Sequence, residues 1–263
     1  MRCIKLTLAY DGTAYEGWQC QRDRTTLQGT LEAALLRITG SPTRTLASGR
    51  TDAGVHALGQ VVAFRTECRL APDILRKAIN AHLPRDMAVL AAVEVPLSFH
   101  PIRDALRKRY RYQIHDGPRD VFRRHYVWHV PQRLNVAAMH AAAAVLLGRH
   151  DFASFQTSGA PRKTTVRTIF DIHLERGLEP QQDLVILEVQ ADGFLYNMVR
   201  AIVGSLYEVG RGARDQAWFE SVLAAADRRR AGRTAPPQGL FLVDVDYEPL
   251  PEPSQSRRAA RQD

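Results

Sequence analysis

The sequence predicts an α+β fold with mainly antiparallel sheets, built from two similar halves. Hydrophobic residues alternate in some short segments, as in half-buried strands, and recur at helical spacing in others. The two kinds of segment follow one another in a similar order in both halves of the chain. That order, β-α-β-β-α-β, is the ferredoxin-like arrangement. We therefore expect two ferredoxin-like domains with a cleft between them.

The first half contains the clearest patterns. Ile4, Leu6 and Leu8 alternate with polar residues and indicate a half-buried strand. The segment 26–38 carries its leucines at helical spacing, and Gly40 follows as a helix end. In chain order the predicted elements are a strand at 4–9, a helix at 26–38, strands near 43–47 and at 60–66, a helix at 72–83 and a strand at 87–95.

The second half opens with a strand and a predicted hairpin at Asp116-Gly117-Pro118. An alanine-rich helix follows, and Gly148 ends it. The predicted elements are strands at 109–112 and 125–130, a helix at 135–147, strands near 166–175 and 184–190, helices near 195–209 and 215–226, and a strand at 240–247. With the opening hairpin set aside, this half repeats the order of the first.

These patterns divide the chain into three parts. One α/β domain is predicted at 1–104 and a second at 105–250, joined near residue 104. The remaining segment, 251–263, is polar and basic from Ser254 onward, which predicts a disordered tail.

The charge balance favours a polyanionic partner. Lys plus Arg is 36 against 28 Asp plus Glu, a formal net charge of +8, and lysine occurs only at positions 5, 77, 108 and 163. Arginine binds phosphate through two hydrogen bonds and stacks on bases, which suits RNA. Genome base composition also exchanges lysine for arginine and explains the bias equally well. Charge alone therefore does not select an RNA enzyme.

Several classes of protein are disfavoured by composition. No apolar run approaches the roughly 20 residues that cross a bilayer, and the N-terminus lacks a signal peptide, so we expect a cytoplasmic protein without a membrane. Cys3, Cys20 and Cys68 are odd in number and widely spaced, which favours free thiols. His125 and His129 have a spacing possible for metal ligands but no third ligand nearby, so we expect no metal.

The densest cluster of chemically useful residues runs from Gly49 to Ala57, between two predicted strands. Its sequence is Gly-Arg-Thr-Asp-Ala-Gly-Val-His-Ala, and the two glycines let a large ligand approach the backbone closely. Asp52 lies at the tip of this loop with Arg50 two positions before it. The alternative role for Asp52 is an Asx-turn, in which the carboxylate only caps its own backbone. An aspartic protease dyad is excluded, because the second half has no matching copy.

This loop closely resembles the signature of the tRNA pseudouridine synthase A family. Other blocks match the family in order along nearly the whole chain, which makes coincidence negligible. The matching blocks are Tyr10-Asp11-Gly12-Thr13 with Gly17-Trp18-Gln19, Leu27-Gln28-Gly29 with Glu32, Lys108-Arg109-Tyr110-Arg111-Tyr112, Gly148-Arg149-His150-Asp151-Phe152-Ala153-Ser154-Phe155, Arg167-Thr168-Ile169, Gly193-Phe194-Leu195-Tyr196-Asn197-Met198-Val199-Arg200, and Thr234-Ala235-Pro236-Pro237 with Gly239-Leu240.

The resemblance implies an isomerase that converts uridine to pseudouridine in tRNA. Members break the N1–C1′ glycosidic bond, turn the base and rejoin it through C5, without a metal or an organic cofactor. The target base must leave its stack, which costs a few kcal/mol. The implied targets are uridines 38, 39 and 40 of the anticodon arm, and the implied assembly is a homodimer. Pro101 and Ile102 stand where many members have Ala-Arg, so a role for that arginine does not transfer.

The resemblance also assigns roles to single residues. Asp52 matches the catalytic aspartate, which attacks C1′, attacks C6 or acts as a base at C2′; the sequence leaves these three open. Arg200 matches the arginine that pairs with this aspartate and is expected to lower the pKa of its carboxyl. Tyr110 matches the tyrosine that packs on the flipped uracil, although Tyr112 shares its strand face. Arg50 matches an arginine that holds the place of the flipped nucleotide.

Some alternatives stay open at this point. His56 either contacts RNA or caps the loop. A ferredoxin-like RNA-binding module without catalysis is a function of another class. A synthase of the same fold that acts on a different RNA is a further alternative.

Overall fold

The computed structural model describes residues 1–157 and 164–248, and in that part of the chain it has ten strands and five α-helices. The predicted tail at 251–263 lies outside the described residues. The elements are β1 (Arg2–Tyr10), α1 (Leu27–Thr39), β2 (Leu46–Ala47), β3 (His56–Thr66), α2 (Pro72–His82), β4 (Met87–Val95), β5 (Arg107–His115), β6 (Trp128–His129), α3 (Val136–Ala143), β7 (Gly148–Asp151), β8 (Val166–Arg176), β9 (Leu184–Ala191), α4 (Met198–Gly210), α5 (Gln216–Ala225) and β10 (Leu240–Asp246).

All ten described strands belong to one largely antiparallel sheet. Its main path runs β4-β1-β3-β10-β5-β9-β8-β7, while β2 pairs with β3 and β6 pairs with β5. The strands of the first half are thus ordered β4-β1-β3-β2, and those of the second include β10-β5-β9-β8. The halves join where β3 and β10 run parallel, with His56 opposite Phe241 and Ala57 opposite Leu242. The α+β class and the mainly antiparallel sheet are confirmed.

The predicted hairpin at Asp116-Gly117-Pro118 is wrong. β6 pairs with β5 in parallel, with Ile114 opposite Trp128. The segment between them must therefore return to the start of the pairing, so that both strands run in the same direction. A tight turn cannot do this, because it reverses the strand direction. β5 is also longer than predicted and pairs along its length with β10 and β9.

Other boundaries also differ from the predictions. β3 begins at His56, four residues before its predicted start, and β2 and β6 are shorter than predicted. The helix predicted at 135–147 ends at Ala143, continues as a 3₁₀ turn through Leu146 and is followed by β7, which was not predicted. β7 consists of a glycine and three polar residues at a sheet edge, so it lacks the alternation that marks a half-buried strand. α4 begins at Met198, three residues later than predicted, because Asn197 adopts the left-handed conformation with φ 60°.

Helix α4 is almost entirely buried in the core. Of its thirteen residues eleven are buried, and Gly204 lies against the backbone that leads into β10. A Cβ at Gly204 would come 1.7 Å from the Arg233 carbonyl oxygen, so this position admits only glycine without a shift of the backbone. The close contact fixes the second turn of α4 relative to the segment before β10. No helix in the described ranges is long and apolar enough to cross a membrane.

Candidate active site

The loop that carries Asp52 connects β2 to β3 and is anchored from the opening segment of the chain. The Trp18 amide donates to the Thr51 carbonyl at 2.9 Å, and the Tyr10 hydroxyl lies 2.8 Å from Thr51 Oγ1. The Val55 amide donates to the Asp52 carbonyl at 3.1 Å, which closes the turn. These bonds fix the backbone on both sides of Asp52.

Glycines allow the opening segment to approach this loop closely. A Cβ at Gly12 would come 2.0 Å from the Val55 carbonyl oxygen. Gly17 has φ +87°, and a Cβ there would come 2.8 Å from the Thr51 carbonyl oxygen. The segment around Gly12 and Gly17 therefore packs directly against the backbone of the Asp52 loop, about forty residues later in the sequence.

Arg200, in the first turn of α4, pairs with Asp52. Its Nη1 donates to Asp52 Oδ2 at 3.2 Å, and the side chains are 15% and 33% exposed. Among the described residues Arg200 is the hydrogen-bond donor to the Asp52 carboxylate, which differs from the Asx-turn alternative. Arg200 Nε also donates to the Ala235 carbonyl at 2.7 Å, and Nη1 donates to Asn197 Oδ1 at 2.8 Å.

Burial, more than charge pairing, determines the pKa of Asp52. Burial of the carboxyl raises its pKa above the ordinary value, and the charge and hydrogen bond of Arg200 offset only part of that rise. We expected Arg200 to lower the pKa, and its own effect has that sign, but the larger effect of burial reverses the net direction. A partly desolvated carboxylate with one cation beside it is well suited to nucleophilic or basic chemistry.

Tyr110 lies in β5 near Asp52, and its neighbours differ from those of Tyr112. The Tyr110 ring is 9% exposed and meets Phe194 edge to face at a centroid distance of 4.9 Å. Burial raises its pKa most, and the nearby Tyr10 and Asp52 raise it further. Tyr112 is fully buried, and its hydroxyl donates to the Pro236 carbonyl at 2.7 Å. Both tyrosines belong to the buried core, but the Tyr112 hydroxyl is engaged by Pro236, whereas Tyr110 lies beside Asp52.

Arg50 and His56 differ in their exposure to solvent, and therefore in whether they could contact RNA. Arg50 is exposed and makes no hydrogen bond or ion pair with another residue of the described segments. His56 is 1% exposed and lies at the start of β3, stacked on Phe241 at 4.7 Å. Its Nδ1 accepts from the Gly12 amide at 3.1 Å, and its Nε2 lies 2.9 Å from the His125 carbonyl. His56 thus ties the loop to the second half of the chain.

Metal ligation finds no support in the geometry. In the two described ranges no group of three or more His, Cys, Asp or Glu side chains is arranged to hold an ion. His129 Nε2 instead lies 3.1 Å from the Gly117 carbonyl. Cys3, Cys20 and Cys68 are free thiols, as predicted.

Two residues beside the site were missed by the sequence prediction. Asn197 contacts Arg200, and Phe194 contacts Tyr110. Both belong to the matched block Gly193 to Arg200, so the block itself was the available signal. Neither has a local pattern that separates it from an ordinary helix-capping or core residue.

The sequence matches a family model and known proteins along most of its length. A family model described as tRNA pseudouridine synthase matches residues 7–103 and 142–248. The chain is 46% identical over 248 residues to tRNA pseudouridine synthase A of Geotalea uraniireducens (strain Rf4), which covers 94% of this chain and 100% of that protein. It is 41% identical over 248 residues to the protein of the same name from Thermoanaerobacter sp. (strain X514), with the same coverage. The matched ranges include Arg50, Asp52 and Arg200, and Tyr110 lies between them.

Proposed function

Because the chain belongs to the tRNA pseudouridine synthase family and is an isomerase that converts uridine to pseudouridine in tRNA, we propose that Asp52 is its catalytic residue. The ion pair between Arg200 and Asp52 carries this proposal. It joins two matched blocks 148 residues apart in sequence, and the paired carboxylate is 33% exposed. The targets that we propose are uridines 38, 39 and 40 of the anticodon arm.

The chemistry needs an ionised carboxylate. Breaking the N1–C1′ bond and rejoining the base through C5 conserves all atoms, so no cofactor or metal has to supply or accept any. Asp52 either attacks C1′, attacks C6 or removes the proton at C2′, and each of these steps uses the charge on its oxygens. Arg200 supports that charge against the effect of burial.

The flipped base is held by the residues around Asp52. We propose that Tyr110 packs on the uracil, since an aromatic face contributes about 1–3 kcal/mol per stacked base and accepts either orientation of the ring. Arg50 has an exposed side chain on the same loop and is proposed to enter the stem in place of the flipped nucleotide. Such a contact lowers the cost of unstacking the target.

The larger arrangement is proposed on the same basis. Each half would be a ferredoxin-like domain, at 1–104 and 105–250, with the catalytic cleft between them; the strand orders β4-β1-β3-β2 and β10-β5-β9-β8 support this view. Family resemblance further suggests a homodimer in the cytoplasm that needs no organic cofactor and no metal.

Product mapping tests the proposed function. Unmodified tRNA incubated with the protein should gain pseudouridine at one or more of positions 38, 39 and 40, read by chemical mapping at single-nucleotide resolution. Binding of tRNA without any pseudouridine would overturn the proposal in favour of an RNA-binding module. Pseudouridine outside the anticodon arm would retain the chemistry and overturn the target positions.

Replacement of Tyr110 by alanine separates stacking from backbone binding. We expect turnover to fall on the order of tenfold or more, which corresponds to the loss of about 1–3 kcal/mol of stacking. The salt dependence of tRNA affinity should stay unchanged, because stacking releases no counterions. Affinity measured at several salt concentrations and single-turnover rates give both quantities. Tyr112→Phe is the matched control, and wild-type turnover in Tyr110→Ala would show that another aromatic holds the base.

A further inference from the structure

Asn197 occupies the capping position of α4 but does not cap the helix. Its side chain makes no hydrogen bond to an amide of the first turn, unlike Thr26 before α1 and Asp215 before α5. It also has φ 60°, a left-handed conformation that asparagine adopts more readily than most residues other than glycine. An asparagine at this position is usually explained by capping. Here the side chain has another use.

The Asn197 amide connects two neighbours. Its Oδ1 accepts from Arg200 Nη1 at 2.8 Å, and its Nδ2 donates to Thr157 Oγ1 at 3.2 Å. Because Nη1 has two hydrogens, the bond to Asn197 leaves one hydrogen directed at Asp52 Oδ2, 3.2 Å away. The Ala235 carbonyl holds Nε from the other side. The Asn197 and Ala235 oxygens therefore set the plane of the guanidinium independently of its contact with Asp52.

Arg200 needs such acceptors because of its place in the helix. It lies in the first turn of α4, where the partial positive charge of the helix N-terminus disfavours a cation. The guanidinium is 15% exposed, so water satisfies few of its donors. Without the Asn197 amide, the Ala235 carbonyl would be the remaining neutral acceptor of the Arg200 guanidinium among the described residues.

We propose that Asn197 is a positioning residue that, through its amide bonds to Arg200 and Thr157, holds the guanidinium against the Asp52 carboxylate. This inference rests on the proposed catalytic role of Asp52. It assigns to Asn197 no contact with the substrate. Its effect on the reaction passes through Arg200 alone.

The test compares single-turnover rates over a range of pH. Asn197→Gly removes both amide bonds, while glycine readily adopts φ 60°. With Arg200 released, burial acts on Asp52 with less compensation and its pKa rises. We expect the acid limb of the rate profile to move to higher pH by about one pH unit, with much of the lost activity returning at alkaline pH. Thr157→Val should produce a smaller shift of the same sign, and Thr157→Ser should restore the wild-type profile.

Other titratable groups near the Asp52 carboxylate should not produce the expected shift of the pH–rate profile. Burial raises the pKa of Tyr10 to about 12, and the pKa of Tyr110 is also raised, so both phenols stay neutral in the range assayed. Arg50, on the same loop, is unaltered by the substitution, and so is His56, whose pKa burial lowers. The charged neighbour that changes position is then Arg200.

Matched variants separate this role from a merely structural one. Ala226 also has a positive φ, 47°, at the end of α5, so Ala226→Gly tests the effect of glycine in that conformation. It should leave the pH profile unchanged. A lower unfolding temperature for Asn197→Gly with a wild-type pH profile would overturn the positioning role. Asp52→Asn distinguishes the two proposals: if it stays active, the catalytic assignment fails, and if it is inactive while Asn197→Gly matches wild type, only the present inference fails.

Discussion

Replacement of Asp52 by asparagine is expected to abolish pseudouridine formation. Asparagine keeps the size of the side chain but has no charge with which to attack carbon or remove a proton. Loss of a catalytic group of this kind lowers turnover on the order of a thousandfold or more. Affinity for tRNA should stay within about a few-fold, because the contacts to the RNA backbone are unchanged. Retention of a tenth of wild-type turnover would contradict the assignment.

The same variant should be more stable than the wild-type protein at neutral pH. The pKa of Asp52 is raised in the folded state, so its ionisation opposes folding. The stability associated with protonated Asp52 is fully present below the unfolded-state pKa and is lost as pH rises through the higher, folded-state pKa. Urea unfolding should therefore show a gain for Asp52→Asn at neutral pH that disappears in acid. Destabilisation at neutral pH would mean that the pairing with Arg200 outweighs burial.

Replacement of Arg200 by methionine should have the second largest effect. The change removes the cation that offsets burial and leaves the Asp52 charge without its described partner. The pKa of Asp52 then rises further, because burial is no longer offset, and a smaller fraction of the carboxyl is ionised at any given pH. We expect turnover near neutral pH to fall on the order of a hundredfold, with partial recovery at alkaline pH. Single-turnover rates measured against pH provide the check.

Two controls define what Arg200→Met reports. Arg200→Lys keeps a charge but lacks the planar set of donors that reaches Asp52, Asn197 and Ala235 together, so it should restore only part of the activity. The double variant Asp52→Asn with Arg200→Met should be more stable at neutral pH than Arg200→Met alone, because the unpaired charge is gone. If Asp52→Asn changes the stability by the same amount with and without Arg200, the two side chains are not coupled.

Local patterns predicted most elements whose cause is local. α1 spans Leu27–Thr39 against a prediction of 26–38, because Thr26 caps the first turn and Gly40 ends the helix with φ 70°. The alternation of Ile4, Leu6 and Leu8 corresponds to three side chains with no exposure. β7 was missed because a short edge strand needs no alternating pattern. The parallel pairing of β5 and β6 was missed because turn residues cannot report the path of the segment that follows.

The site divides in the same way. The sequence by itself determined the Asp52 loop, its glycines and the blocks that contain Tyr110 and Arg200, since these are written in consecutive residues. Only the tertiary structure decided that Arg200 meets Asp52 across 148 residues and that β3 pairs with β10. It also distinguished Tyr110, at the border of the site, from the fully buried Tyr112. The period of a strand places both tyrosines on one face, whereas burial and the partner of each hydroxyl depend on elements distant in the chain.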